Sequence, residues 1–233
     1  MSTYPYFVVP RDAQRYGPPP GRRRYLAHPR SRADAGVESN SRLTGSTALA
    51  LLLLLAVEGA TILQITSHVS IHVFVGMLLI PPVMLKIGST TWRFARYYSG
   101  APAYRRKGPP APLLRLLGPF IVVLTLIMLG SGVVLVLAPK IFGSQMLFIH
   151  KASFVLWFAA MAIHVLGHLA ETARLAPLDW VYRTRYQVAH ASVRQWTLVV
   201  SLAIGLLLGI AMIGPASHFL TNFYGARGFV HHR

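Results

Sequence analysis

The chain contains no cysteine. It therefore cannot form disulfides, iron–sulfur clusters, zinc–thiolate sites or thiol nucleophiles. Charged residues are also scarce, because Asp, Glu, Lys and Arg make up only 12% of its 233 residues, against roughly 25% in a soluble domain. A deficit of this size indicates that much of the surface faces lipid.

Acidic residues are the rarest charged class, with six Asp and Glu against 23 Lys and Arg and a formal charge of +17. Nucleic-acid binding is one interpretation of such a charge. In a membrane protein, however, Lys and Arg are retained in cytoplasmic loops. We therefore expect contact with membrane lipid and no nucleic-acid partner.

Five apolar windows reach the roughly 20 residues that a helix needs to cross a bilayer. The predicted spans are approximately 44–65, 68–87, 114–138, 145–170 and 195–213. The fold class predicted from them is an all-α transmembrane bundle, with four core helices plus a fifth C-terminal transmembrane helix.

The segments that flank this bundle (44–213) differ from it in composition. Residues 1–43 are rich in Arg and Pro and poor in aliphatic side chains, which predicts a disordered basic cytoplasmic tail. Residues 214–233 are expected to form a short extracytoplasmic tail. Pro81 and Pro82 are expected to kink the second span, since proline removes a backbone donor.

The distribution of Lys and Arg predicts the orientation. Segments 1–43, 86–116 and 170–195 hold 8, 7 and 4 of them, 19 together, against four on the opposite side. The positive-inside rule then places the N-terminus in the cytoplasm and the C-terminus outside, as in a multi-pass protein of the cell membrane. The aromatic and basic residues of 92–110 are typical of a cytoplasmic membrane interface; docking of a soluble redox partner is the alternative.

Ionisable residues inside spans are costly to bury and are candidates for function. Those predicted to lie within the membrane are His68, His72, His150, His164 and His168, together with Glu58 and Lys86. The remaining histidines are expected to be solvated surface residues, and these are His28, His190, His218, His231 and His232.

The spacing on the fourth span favours haem. His150 and His164 are 14 residues apart, just under four helical turns, so both project from nearly the same face at a separation of roughly 21 Å. Such a ladder suits two haems stacked across the bilayer, because neutral imidazole is a good haem-iron ligand.

The depth of each histidine in the membrane then indicates which two could ligate the same iron. The second and fourth spans run in the same direction, and His72 and His150 are each about one turn inside the outer end. They are expected to ligate one iron from opposite sides, with His68 as a competing ligand. Gly76, like Gly130 and Gly132 of the third span, is expected to leave room for a flat macrocycle, although small residues also support helix packing.

The inner position offers fewer ligands. His164 lies at a suitable depth and His168 one turn further in, but the residue opposite, 14 positions after His72, is Lys86. A protonated lysine cannot ligate iron, and we expect Lys86 to extend to the inner headgroups. The sequence therefore predicts one haem b and leaves a second, ligated by His164, open.

Two alternatives to haem remain at this point. The histidines are also compatible with a haem-free transporter or scaffold, in which they serve as packing contacts or a proton relay with Glu58 and Lys86. A zinc or copper site would need three or four converging ligands, which no single depth offers. Glu58 is either a neutral buried carboxyl or a proton acceptor beside a haem or quinone.

Three segments resemble the four-helix cytochrome b membrane subunits, such as the haem-bearing anchors of bacterial formate dehydrogenase and nickel–iron hydrogenase and small actinobacterial relatives. They are His72-x-x-x-Gly76, His150-Lys151-Ala152-Ser153-Phe154 and His164-Val165-Leu166-Gly167-His168. The resemblance covers roughly residues 44–170.

The resemblance implies a bundle that holds one or two b haems with histidine pairs. His72 and His150 would be the outer ligands and His164 an inner one, while Lys86 departs from the family pattern. It also implies an electron-transfer subunit of a membrane oxidoreductase, working between a quinone or soluble partner and a redox partner protein.

Overall fold

The computed structural model describes residues 32–108 and 112–219, and these residues form helices and short turns without a strand. A 3₁₀ turn, Ala176–Asp179, follows the fifth helix. The helices are α1 (Arg32–Leu63), α2 (Ile65–Tyr98), α3 (Pro102–Lys107), α4 (Pro112–Leu137), α5 (Pro139–Leu175), α6 (Tyr182–Arg185), α7 (Ala191–Ala211) and α8 (Ile213–Phe219).

Five of these helices, α1, α2, α4, α5 and α7, are long and apolar enough to cross a membrane. This confirms the predicted all-α transmembrane bundle. α1 and α4 each contact both α2 and α5, so these four helices form a core in which α2 and α5 lie diagonally opposite each other. α7 packs mainly along α2, outside that core.

Two polar stretches that were predicted to lie outside the spans are helical. α1 begins at Arg32, so residues 32–43 belong to it rather than to a disordered tail; residues 1–31 lie outside the described residues. α2 likewise extends to Tyr98 through the aromatic and basic stretch that begins at Trp92. Tertiary contacts explain both extensions, because Val37 of α1 packs into a small core with Ala103 and Tyr104 of α3, and Tyr97 of α2 packs against the same core.

The backbone interruption in α2 is not where the prolines predict it. Pro81 and Pro82 keep helical angles, whereas His68 has φ −119° and ψ 16°. The bend therefore lies one turn before His72, close to the tight turn that joins α1 to α2 at Gln64.

Close backbone approach holds α7 against α2. A Cβ added to Gly205 would lie 2.3 Å from the carbonyl oxygen of Leu78, and one added to Gly209 would lie 2.9 Å from the Phe74 ring. Two glycines one turn apart let neighbouring helices in a membrane approach each other closely. α7 therefore covers the outer side of α2, and the other side of α2 faces the four-helix core.

The two ends of the bundle differ in chemistry. We call the end with the start of α1, the end of α2 and the end of α5 the basic end, and the end with the α1–α2 and α4–α5 turns the turn end. At the basic end, Asp179 accepts hydrogen bonds from Arg194 at 2.5 Å and 2.7 Å and from Arg42 at 3.4 Å. All three side chains are buried, and together they join α1, the 3₁₀ turn and α7.

Candidate functional site

The structure brings His72 of α2 and His150 of α5 together near the turn end. Their ring centroids are 6.2 Å apart and their ring planes are nearly perpendicular, at 87°. The two residues are 78 positions apart in the chain, and they meet because α2 and α5 run in the same direction with similarly placed histidines. Their proximity agrees with the depth argument from the sequence.

The Nδ1 atom of His72 is held by α1. It lies 2.9 Å from the Thr61 hydroxyl and 3.1 Å from Oε1 of Glu58. The Thr61 hydroxyl already donates to the Glu58 backbone carbonyl at 2.6 Å. It therefore acts as an acceptor toward His72, which assigns the proton to Nδ1 and leaves Nε2 with its lone pair.

His150 has the same tautomer for a different reason. Its Nδ1 lies 2.9 Å from the backbone carbonyl oxygen of Met128 on α4, and a carbonyl oxygen can only accept. The Ser131 hydroxyl lies further away, at 3.4 Å. Metal-binding histidines commonly donate the proton of the other ring nitrogen to a carbonyl or carboxylate, as these two do.

The spacing of the two rings is compatible with one metal ion between them. Two imidazoles that ligate one ion from opposite sides, with bonds of about 2 Å, place their ring centres about 6 Å apart. Among the described residues, no group of three or more His, Asp or Glu is arranged to hold a metal ion. A two-imidazole donor set fits a haem iron, whose macrocycle supplies the remaining nitrogens.

Two of the glycines near the pair lie against side chains of the site. A Cβ on Gly132 would lie 3.1 Å from Cε1 of His150, so Gly132 accommodates the imidazole itself. A Cβ on Gly76 would lie 3.4 Å from Oε1 of Glu58, so Gly76 accommodates the carboxyl group. Gly130 has no neighbour within 4 Å of an added Cβ, among the described residues.

His68, the competing ligand, is not part of this pair. Its Nδ1 lies 3.0 Å from the carbonyl oxygen of Gln64, in the turn that precedes α2. The non-helical backbone at His68 rotates it out of the regular one-turn relation to His72 that the sequence predicted.

The histidines toward the basic end are arranged differently. His164 and His168 lie on consecutive turns of α5 with ring centroids 4.7 Å apart, and Nδ1 of His168 lies 3.5 Å from Oε2 of Glu171. Nδ1 of His164 is buried without a hydrogen-bond partner within the described part of the chain. Two histidines on successive turns of one helix cannot hold an iron from opposite faces of a macrocycle.

Lys86 does not extend to the headgroups as predicted. Its ammonium donates a hydrogen bond of 3.0 Å to the backbone carbonyl of Thr44 on α1, inside the bundle. Lys86 therefore joins α2 to α1 near His164, and no histidine of α2 faces His164 from that position.

Two of the remaining five histidines lie within the described residues. His190 and His218 are exposed, as expected, and His190 caps α7 with a left-handed backbone at φ 64°. His28, His231 and His232 lie outside the described residues.

Sequence reasoning singled out Glu58 but missed the other groups that hold the two rings. The Met128 carbonyl gives no signal in a sequence, and a single threonine on an apolar helix, such as Thr61, gives little. Glu171 had a readable signal, because it follows His168 by three residues on one helix face. The buried Asp179 network had none, since its arginines come from distant parts of the chain.

No family model, no curated protein and no solved structure matches this chain.

Proposed function

We propose that this chain is a b-type cytochrome of the cell membrane, which holds one haem b between His72 and His150 and transfers electrons through it. The observation that supports this most strongly is the ring spacing of 6.2 Å between helices that lie diagonally across the bundle. Both rings have Nδ1 bonded to the protein, and both therefore retain Nε2 for a ligand.

The residues around the pair have distinct tasks under this proposal. His72 and His150 would hold the haem iron as a pair of imidazole ligands, a set that favours electron transfer over oxygen or substrate chemistry. Glu58 and Thr61 fix the orientation of His72, while the Met128 carbonyl and Gly132 fix that of His150. Bound haem supplies a reversible one-electron iron couple, and the apolar spans keep its surroundings at low dielectric.

The electron partners follow from position. If the basic end faces the cytoplasm, as the positive-inside rule requires, the pair lies near the extracytoplasmic surface. At that surface the chain would transfer electrons between two partners. One is a quinone in the bilayer or a soluble protein, and the other is a redox partner protein. The described residues offer no substrate domain, so the chain acts as a subunit of a larger oxidoreductase.

A haem-free transporter or scaffold is the second candidate. It is favoured by the polar contacts within the bundle, which give Lys86 and His168 partners on neighbouring turns or helices. In that case Glu58, His72 and His150 would carry exchangeable protons near one surface. Protons, not electrons, would then be the species that moves.

A dithionite-reduced minus oxidised spectrum of the purified protein separates the two candidates. The cytochrome shows sharp α and Soret bands when the cells are supplied with haem precursor, and a scaffold shows neither band. His190→Ala is the matched control, since His190 is exposed; it keeps the bands, whereas His72→Ala loses them. Retention of full haem by His72→Ala would reject the proposed ligand pair.

A further inference from the structure

A cleft opens at the basic end, away from the histidine pair. Its volume is about 430 Å³, within the range of small-ligand sites. One wall is a face of α1 that includes Ser39, Asn40 and Leu43, and the other walls come from the end of α2 and from α3. Nothing in the proposed electron transfer uses this cleft.

The cleft combines apolar surface with one uncompensated positive charge. Trp92 and Arg96 lie one turn apart on α2, with the guanidinium carbon 5.8 Å from the centre of the Trp92 ring. Among residues 32–108 and 112–219, Arg96 forms no ion pair. Tyr104 and Leu43 supply the apolar part of the lining.

The acidic residues nearest to the cleft are already paired. Asp34 accepts a 2.7 Å contact from Arg106, and Glu38 accepts a 3.2 Å contact from Arg42. Burial and then the nearby Arg93 lower the pKa of Lys107, whereas Glu171 and Glu38 act in the opposite direction. An incoming anion would therefore meet Arg96 without competition from a carboxylate.

We infer that this cleft binds the phosphate-bearing headgroup of an anionic phospholipid, with Arg96 on the phosphate and Trp92 beside the glycerol. The Ser39 hydroxyl accepts from Arg194 at 2.9 Å and keeps its own proton for a second hydrogen bond to the headgroup. Leu43 and Tyr104 contact the upper part of an acyl chain. Tryptophan and arginine at this depth are the side chains that membrane interfaces favour.

The chain's own N-terminal segment is a poorer occupant. Residues 1–31 hold six arginines and one aspartate, so their charge opposes that of Arg96. An anionic lipid has the complementary charge, and its apolar tails continue directly into the bilayer beside α2.

Native mass spectrometry of the full chain in detergent tests this inference without requiring haem. Phosphatidylglycerol is titrated in one arm and phosphatidylcholine in the other. Wild-type protein is expected to retain one phosphatidylglycerol at concentrations where phosphatidylcholine is lost. Equal retention of the two lipids would overturn the inference.

Matched variants locate the site. Arg96→Gln is expected to weaken phosphatidylglycerol retention about fivefold, the factor that one basic residue contributes at an anionic surface, while Arg96→Lys keeps most of it. Arg183→Gln is the control, because Arg183 is exposed at the same end of the bundle but does not line the cleft.

Two further results would contradict the inference. An equal loss in Arg96→Gln and Arg183→Gln would mean that the lipid responds to overall charge rather than to a site. Displacement of the lipid by excess inorganic phosphate would identify a site for free phosphate instead.

Discussion

Histidines lie toward both ends of the bundle, but the two ends arrange them differently. At the turn end, His72 and His150 come from diagonal helices, and within the described residues each uses Nδ1 alone for hydrogen bonding. At the basic end, His164 and His168 come from one helix, and Glu171 contacts both His168 and Lys107. Whether two histidines can share a metal ion therefore depends on which helices they come from, and not on how many histidines one helix carries.

The largest expected difference is in haem content. His150→Ala removes one of the two ligands of the pair and is expected to abolish bound haem b, whereas His164→Ala is expected to leave it within error. Absorbance of the alkaline pyridine haem complex, divided by protein concentration, measures both. Loss of half the haem in His164→Ala would show that the basic end holds a second haem.

The next effect concerns stability rather than haem. Asp179→Asn removes the charge that buried Arg42 and Arg194 share, and breaking such a buried ion pair costs about 3–5 kcal/mol. We expect a clearly lower thermal unfolding midpoint in detergent, with unchanged haem per folded chain.

Glu38→Gln is the control for that substitution. Glu38 also contacts Arg42, but 29% of its side chain is accessible to solvent, so water screens this contact more than the buried one and the expected loss of stability is smaller. If both variants unfolded at the same temperature, the buried network would not be what holds the basic end together.

A smaller effect is expected from the groups that orient His72. Glu58→Ala removes the carboxyl at 3.1 Å from Nδ1, and loss of such a partner weakens metal binding about 10- to 100-fold. Haem transfer to excess apomyoglobin measures the change as a faster dissociation rate. Thr61→Val tests the hydroxyl in the same assay, and no change in either variant would mean that His72 needs no support from α1.

The smallest predicted effect separates two glycines of α4. Gly132→Ala places a methyl group 3.1 Å from Cε1 of His150, which forces the ring to shift and costs roughly 1 kcal/mol of haem affinity. Gly130→Ala has open space and is expected to be neutral. Equal haem affinity in the two variants would argue that the position of His150 is not tightly defined.

The general architecture was predictable from hydropathy, because a bilayer demands long apolar helices. The meeting of His72 and His150 was predicted from the expected outer ends of the second and fourth spans, near residues 68 and 145. The helices begin earlier, at Ile65 and Pro139, so the two histidines lie 7 and 11 residues into α2 and α5. At about 1.5 Å per residue, counting from the helix starts alone does not place the rings at the same depth, and their meeting also depends on how α2 and α5 are offset in the bundle.

The basic end was not predictable in the same way. Polar residues near Arg42 resemble an unstructured tail in the sequence, and only distant partners such as Asp179 make them helical and buried. The position of α7 was equally unpredictable. It depends on the fit of Gly205 against the Leu78 carbonyl, and these two residues are more than a hundred positions apart in the chain.

The most direct test of the central claim is the spin state and stoichiometry of iron in the purified protein. Low-temperature electron paramagnetic resonance of the oxidised sample, combined with haem quantification, is expected to give one low-spin, six-coordinate haem per chain that disappears in both His72→Ala and His150→Ala. A high-spin signal, or a low-spin signal that survives either substitution, would contradict ligation by this pair.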